Sequence, residues 1–164
     1  MNDVEKAIQL FRTGCVCSQA LLGVYGPRYG LDPEQALRLA AGFGSGMRRA
    51  ETCGALTGAF MVLGLARCDG KAAQSREGRA AASDAVVAFA EAFEQRHGSL
   101  RCRDLLGCDV STPEGHRTAM GRGLFQTRCV ELVRDAAQLL EEALKPRDAD
   151  PGPPATESGP SNAG

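Results

Sequence analysis

Apolar residues recur along this chain at intervals of three and four, the spacing of one face of an α-helix. Val4, Ile8 and Phe11 share such a face in a first helix running to about Arg12, with Asp3 placed to cap it. Gly14 interrupts the pattern. Cys17, Ala20, Leu21 and Val24 restore it over a second helix, Cys17 to Tyr25, which Gly26-Pro27 stops. Asp32-Pro33 reads as a cap followed by proline in the first turn, and predicts a third helix from Pro33 to about Ala41. A fourth starts near Thr52-Cys53, with Thr52 as cap, and ends near Ala66. Its glycines, Gly54, Gly58 and Gly64, each cost roughly 1 kcal/mol against alanine in an exposed helix. They make sense where small residues let another helix come close.

The second half continues in the same period. A long helix covers Ser75 to His97 with Ala85, Phe89, Ala92 and Phe93 inward. A short one near Leu100 to Leu106 carries Cys102, and Ser111-Thr112-Pro113-Glu114 resembles another capped start. The last spans about Gly123 to Lys145, with Cys129, Leu132, Val133, Ala136, Leu139, Leu140, Ala143 and Leu144 as its apolar stripe. No hairpin signal, alternating run or fixed repeat appears. The expectation is an all-α, single-domain bundle of about six to seven helices over residues 1–145. Beyond it, Pro146 to Gly164 hold five of the eight prolines and no Leu, Ile, Val or Phe. Such a segment buries too little apolar surface to offset its ordering entropy and is expected to be a disordered tail.

Composition narrows the core and the partners. The chain has 164 residues, no Trp and only 5% aromatics, so Ala, Leu, Val, Gly and Cys must fill the interior. Nineteen basic against 20 acidic residues give a net charge of −1. That balance removes the electrostatic reason to expect nucleic acid or an anionic membrane surface. The longest weakly polar run, Cys53 to Ala66, has 14 residues, too short to span a bilayer, so no membrane insertion is expected. Gly42-Phe43-Gly44-Ser45-Gly46 is glycine-rich, but Met47 stands where a dinucleotide fingerprint needs its last glycine. No Gly-Lys-Ser/Thr follows either, which leaves a loop turning tightly against packed helices.

Seven cysteines are the unusual feature. The acidic start, Met1 to Glu5, lacks the apolar stretch of an export signal, so the expected setting is the reducing cytoplasm. Free thiols, metal sites or transient disulfides are the rule there. Cys17, Cys102 and Cys129 begin or lie on apolar stripes and Cys53 sits at a helix start, so all four point toward a common core. Cys15, Cys68 and Cys108 lie in or beside breaks. A single cysteine on such a stripe is ordinarily a small core hydrophobe. Four on four helices shift that balance, because Ala or Val fills the same space without a reactive sulfur. No Cys-x-x-Cys is present, and the four stand 36, 49 and 27 residues apart, so only the folded bundle can join them. A helix N-terminus lowers the Cys53 thiol by less than one pH unit, so activating it needs Arg48 and Arg49 folded back, or a metal. His97 and His116 are expected in solvent, and no spacing selects a cysteine–histidine hydrolase.

Gly14-Cys15-Val16-Cys17-Ser18-Gln19-Ala20, Glu51-Thr52-Cys53-Gly54-Ala55-Leu56-Thr57-Gly58, Cys102-Arg103-Asp104-Leu105-Leu106-Gly107 and Cys129-Val130-Glu131-Leu132-Val133 together resemble the C_GCAxxG_C_C family of redox-active proteins. The resemblance runs from about Val4 to Leu144. It implies that Cys17, Cys53, Cys102 and Cys129 are the family's four cysteines, and that these bind a prosthetic group such as an iron–sulfur cluster. Cys15 is an extra thiol beside the first of them.

Three readings stay open on the sequence. The four cysteines hold an iron–sulfur cluster or other thiolate-bound metal for electron transfer or redox sensing, with a redox partner protein. Alternatively Cys53 attacks as one half of a dithiol with a second core cysteine. Or the thiols merely pack in a non-catalytic helical interaction protein. Self-association is compatible with each, and no substrate is named by any residue pattern.

Overall fold

The computed structural model describes residues 1–68 and 70–146. Eight α-helices form there: α1 (Asp3–Arg12), α2 (Cys17–Tyr25), α3 (Pro33–Ala40), α4 (Gly54–Arg67), α5 (Arg76–His97), α6 (Cys102–Leu106), α7 (Pro113–Gly121) and α8 (Arg128–Ala143). The all-α bundle read from the sequence is the fold, and the described residues contain no strand, only one isolated β-bridge. The count is eight rather than six to seven because the capped start at Thr112-Pro113 opens a full helix of its own, α7. The tail expected over 146–164 lies, apart from Pro146, outside the described residues.

Helix ends follow side-chain chemistry. Asn2, not Asp3, caps α1: its Oδ1 accepts from the Glu5 N–H at 2.9 Å, and Glu5 returns the bond to the Asn2 N–H at 3.2 Å. Asp3 is thereby free to accept from Lys6 and from Arg28, which also reaches Glu141 of α8 at 2.9 Å. Asp32, Ser75 and Thr112 cap α3, α5 and α7 as read. Thr52 does not cap α4; it lies in the bridge, and Cys53 itself occupies the cap position with its thiol free for other contacts.

α2 and α4 lie at the centre and pack closely on each other, with α1, α3, α5 and α8 around them. Ala20, Leu21, Leu22 and Tyr25 of α2 are buried with Ala55, Leu56, Ala59, Val62 and Leu63 of α4. Each Leu or Val so placed is worth about 1.5–3 kcal/mol of apolar transfer. The close approach depends on Gly58. A Cβ there would meet the Ser18 carbonyl oxygen at 2.6 Å and Leu21 Cβ at 2.9 Å. Gly54 makes the same approach one turn earlier, while a Cβ on Gly64 would meet nothing within 4 Å. The glycine argument thus holds for two of the three positions. Ser18, fully buried at the contact, donates its hydroxyl to the Ala40 carbonyl of α3 at 2.8 Å.

A second, smaller apolar cluster forms from Ala50, Cys102, Leu106, Val110 and Ala119, with Cys108, Leu124, Phe125 and Cys129 packed against it. It gathers α6, α7 and the start of α8 beside the main core.

Candidate functional site

The two clusters meet at a cavity of about 530 Å³, and the sulfurs line the seam. Cys17 and Cys53 belong to the main core, Cys102 and Cys129 to the smaller cluster, and all four border this one space. The convergence that sequence separation could not test is therefore present in the fold. Cys15 borders the cavity as well. Cys108 packs beside Cys102 and Cys129. Cys68 is elsewhere, at the end of α4, donating its S–H to the Gly78 carbonyl at 2.8 Å.

Backbone structure holds each sulfur. Cys17 opens α2 after the Gly14 turn, where Gln19 accepts from the Val16 N–H at 2.9 Å and donates to the Leu37 carbonyl at 2.9 Å. Its Sγ lies against Gly54, where a Cβ would approach it to 2.5 Å. Cys53 and Cys102 are set by the bridge between Thr52 and Arg101. The Cys53 N–H donates to the Leu100 carbonyl at 2.9 Å, and the Cys102 N–H to the Glu51 carbonyl at 2.6 Å. The Glu51 carboxylate locks the rung from outside, accepting from Arg101 at 3.1 Å and Arg103 at 2.9 Å. Cys129 begins α8, its N–H donating to the Leu124 carbonyl at 2.9 Å.

Within the glycine-rich segment Gly44 and Gly46 are buried while Gly42 is exposed. Gly44 faces Val16 so closely that a Cβ would come within 2.7 Å. Ser45, Gly46, Met47 and Arg48 then run through consecutive left-handed conformations, φ 54° to 59°. Such a run costs roughly 1–2 kcal/mol for each non-glycine residue. The Ser45 N–H at its head reaches the Cys17 sulfur, and Arg48 and Arg49 beyond are exposed to solvent.

Electrostatics follow from that packing. The Cys17 thiol is lowered from its ordinary value, chiefly by a hydrogen bond from Cys53 and then by the Ser45 and Ser18 N–H groups, against the cost of burial. Cys53 is raised well above its ordinary value, by the same bond seen from the donor side and by burial. The charge of the pair therefore settles on Cys17. This reverses the expectation that Cys53 is the activated thiolate; no arginine folds back on it. Burial, with the Cys17 charge nearby, pushes both Cys102 and Cys129 up to about 12.

Neither histidine is solvated as expected. His97 is buried, its ring 4.4 Å from that of Phe93, Nε2 3.0 Å from Asp135 and Nδ1 3.3 Å from Arg128. His116 stacks on Phe125 at 5.4 Å and borders the cavity. Phe125 and Arg12 also border it; neither was singled out in the sequence, since one lies in a turn and the other ends a helix.

No disulfide is formed among the described cysteines, and no three Cys, His, Asp or Glu residues among those described are grouped as one metal ion needs. Four sulfurs around a single tetrahedral ion lie within about 4 Å of each other. The thiols here share a space without sharing that point. No helix among the described residues is long and apolar enough to cross a membrane. A family model matches residues 15–143, under the description "putative redox-active protein (C_GCAxxG_C_C)". No curated protein and no solved structure matches the chain.

Proposed function

The chain belongs to the C_GCAxxG_C_C family, whose description is redox activity, and on that premise we propose that it handles electrons through a polynuclear iron–sulfur centre held by Cys17, Cys53, Cys102 and Cys129. The observation that carries this reading is that four thiols, far apart in sequence, border one cavity. The donor set fits. Thiolates are the soft ligands such centres take, and cluster ligands stand wider apart than those of one tetrahedral ion. When bound, the centre supplies one-electron oxidation and reduction at a buried potential.

The protein's own part is to hold and discharge protons. Cys53, Cys102 and Cys129 are raised, so without a cation they stay protonated and binding must release those protons. Cys17, already lowered by the Cys53 hydrogen bond and by its N–H donors, is the first sulfur ready to ligate. The bridge fixes Cys53 against Cys102.

Anaerobically prepared protein should be coloured and contain iron with acid-labile sulfide. Cys17→Ser, Cys53→Ser, Cys102→Ser and Cys129→Ser should each lower both, and Cys68→Ser should leave them unchanged. Colourless, iron-free protein after anaerobic reconstitution sinks the reading.

The contact between Cys17 and Cys53 favours a second reading, a dithiol switch in which Cys17 attacks and Cys53 is its partner. Mild oxidant should then remove thiols two at a time, and either Cys17→Ser or Cys53→Ser should stop it. Seven thiols still free after oxidation exclude it.

A further inference from the structure

We propose that the chamber beside the thiols binds a small organic anion, its apolar body against the walls and its carboxylate at the rim between Arg12 and His116. Whether that molecule is what the site oxidises or reduces rests on the redox reading above; its binding does not.

The chamber's size and lining set the ligand class. Its volume of about 530 Å³ lies within the roughly 300–1,000 Å³ of small-molecule pockets. Phe11, Val16, Leu106, Phe125, Val130 and Leu132 supply apolar wall. No Asp or Glu borders it. The buried sulfurs of Cys53 and Cys102 lie at its inner side, and the exposed Arg12 and Gln126 at its outer one.

The polar groups at that outer side are unused. Arg12 pairs with no carboxylate among the described residues, as is true of other surface arginines such as Arg117 and Arg122, but it is the arginine in the chamber's lining. His116 stacks on Phe125 but makes no side-chain hydrogen bond among the described residues. A cation and an imidazole with free donors therefore border a largely apolar space that has no carboxylate in its lining, the Cys17 sulfur being its one acidic group. A carboxylate meets both donors, and an arginine receives it through paired N–H groups. Inorganic anions leave the walls without a partner, and a cationic amphiphile meets Arg12.

Isothermal titration of the full chain with octanoate, 1-octanol and octylamine tests this. Octanoate should bind at one saturable site, and octanol roughly tenfold more weakly for want of one charge-assisted contact. Octylamine should show no binding. Arg12→Gln should bring octanoate down to the octanol value while octanol is unaffected, which shows the chamber intact. The proposal is overturned if octylamine binds as well as octanoate, if octanoate keeps its advantage in Arg12→Gln, or if octanoate does not saturate. Iron content and thiol counts on the same preparations are separate readouts, so either conclusion can fail without the other.

Discussion

Gly58 offers the sharpest test of how the site is held. Replacing it by alanine places a methyl 2.6 Å from the Ser18 carbonyl oxygen, 2.9 Å from Leu21 Cβ and 3.0 Å from Ser18 Cα. Two of these atoms are backbone, so relief requires α2 and α4 to separate. Overpacking costs about 1–3 kcal/mol, and two backbone contacts at 3.0 Å or less put Gly58 in the upper half of that range. Alanine recovers up to about 1 kcal/mol of helix propensity, leaving a net loss of roughly 1–2 kcal/mol. For a chain of this size that is about 2–8 °C in Tm. Gly64→Ala, on the same helix with nothing within 4 Å, should instead gain about 0.5–1 kcal/mol. Urea unfolding of both variants reads the difference directly. The Gly58 change should also part Cys17 from Cys53, since Ser18 follows one and α4 follows the other. Cys53 alkylation under native conditions should therefore speed up. A Gly58→Ala protein as stable as its parent, or equal shifts in the two variants, would refute the close-approach argument.

Other consequences are as specific. Burial, and then the Arg128 charge, hold His97 below its ordinary value against the pull of Asp135. The unfolded chain thus takes the proton first as pH falls. Stability should be full above about pH 6.5 and decline below it toward the lowered folded value. His97→Gln should shrink that decline in urea midpoints measured at about pH 7.5 and 5.5. Glu51→Gln removes two half-exposed arginine pairs and should cost under about 1 kcal/mol of stability. The same change should raise alkylation of Cys53 and Cys102 together under native conditions, because both hang on one rung; a rise in only one would show that the rung does not couple them.

The helices were legible because each carries an apolar stripe and half of them also announce their start by a side-chain cap. Asp32-Pro33, Ser75 and Thr112-Pro113 are examples in which short-range chemistry decides the outcome. The four inward cysteines were legible for the same reason, as apolar-face positions. What periodicity cannot show is which residue of a pair keeps the proton. That depended on the Cys53 S–H and on the Ser45 N–H, which meet the Cys17 sulfur only once the fold has closed. The histidines were misplaced because their adjacent residues are polar, while Asp135 reaches His97 from α8 and Phe125 reaches His116 from the turn after α7; only Phe93, one turn before His97 on the same helix, could have been read from spacing. The Thr52–Arg101 rung joins segments too short to register as strands.

Because Cys17 and Cys53 are rooted in one apolar mass and Cys102 and Cys129 in another, any bond drawn across the gap between them is also a clasp. Electron count at the sulfurs then sets how firmly residues 102–129 are pinned to the rest of the bundle. Chemical state becomes stiffness, and amide exchange in α6 and α7 would register it without any probe of the sulfur atoms themselves.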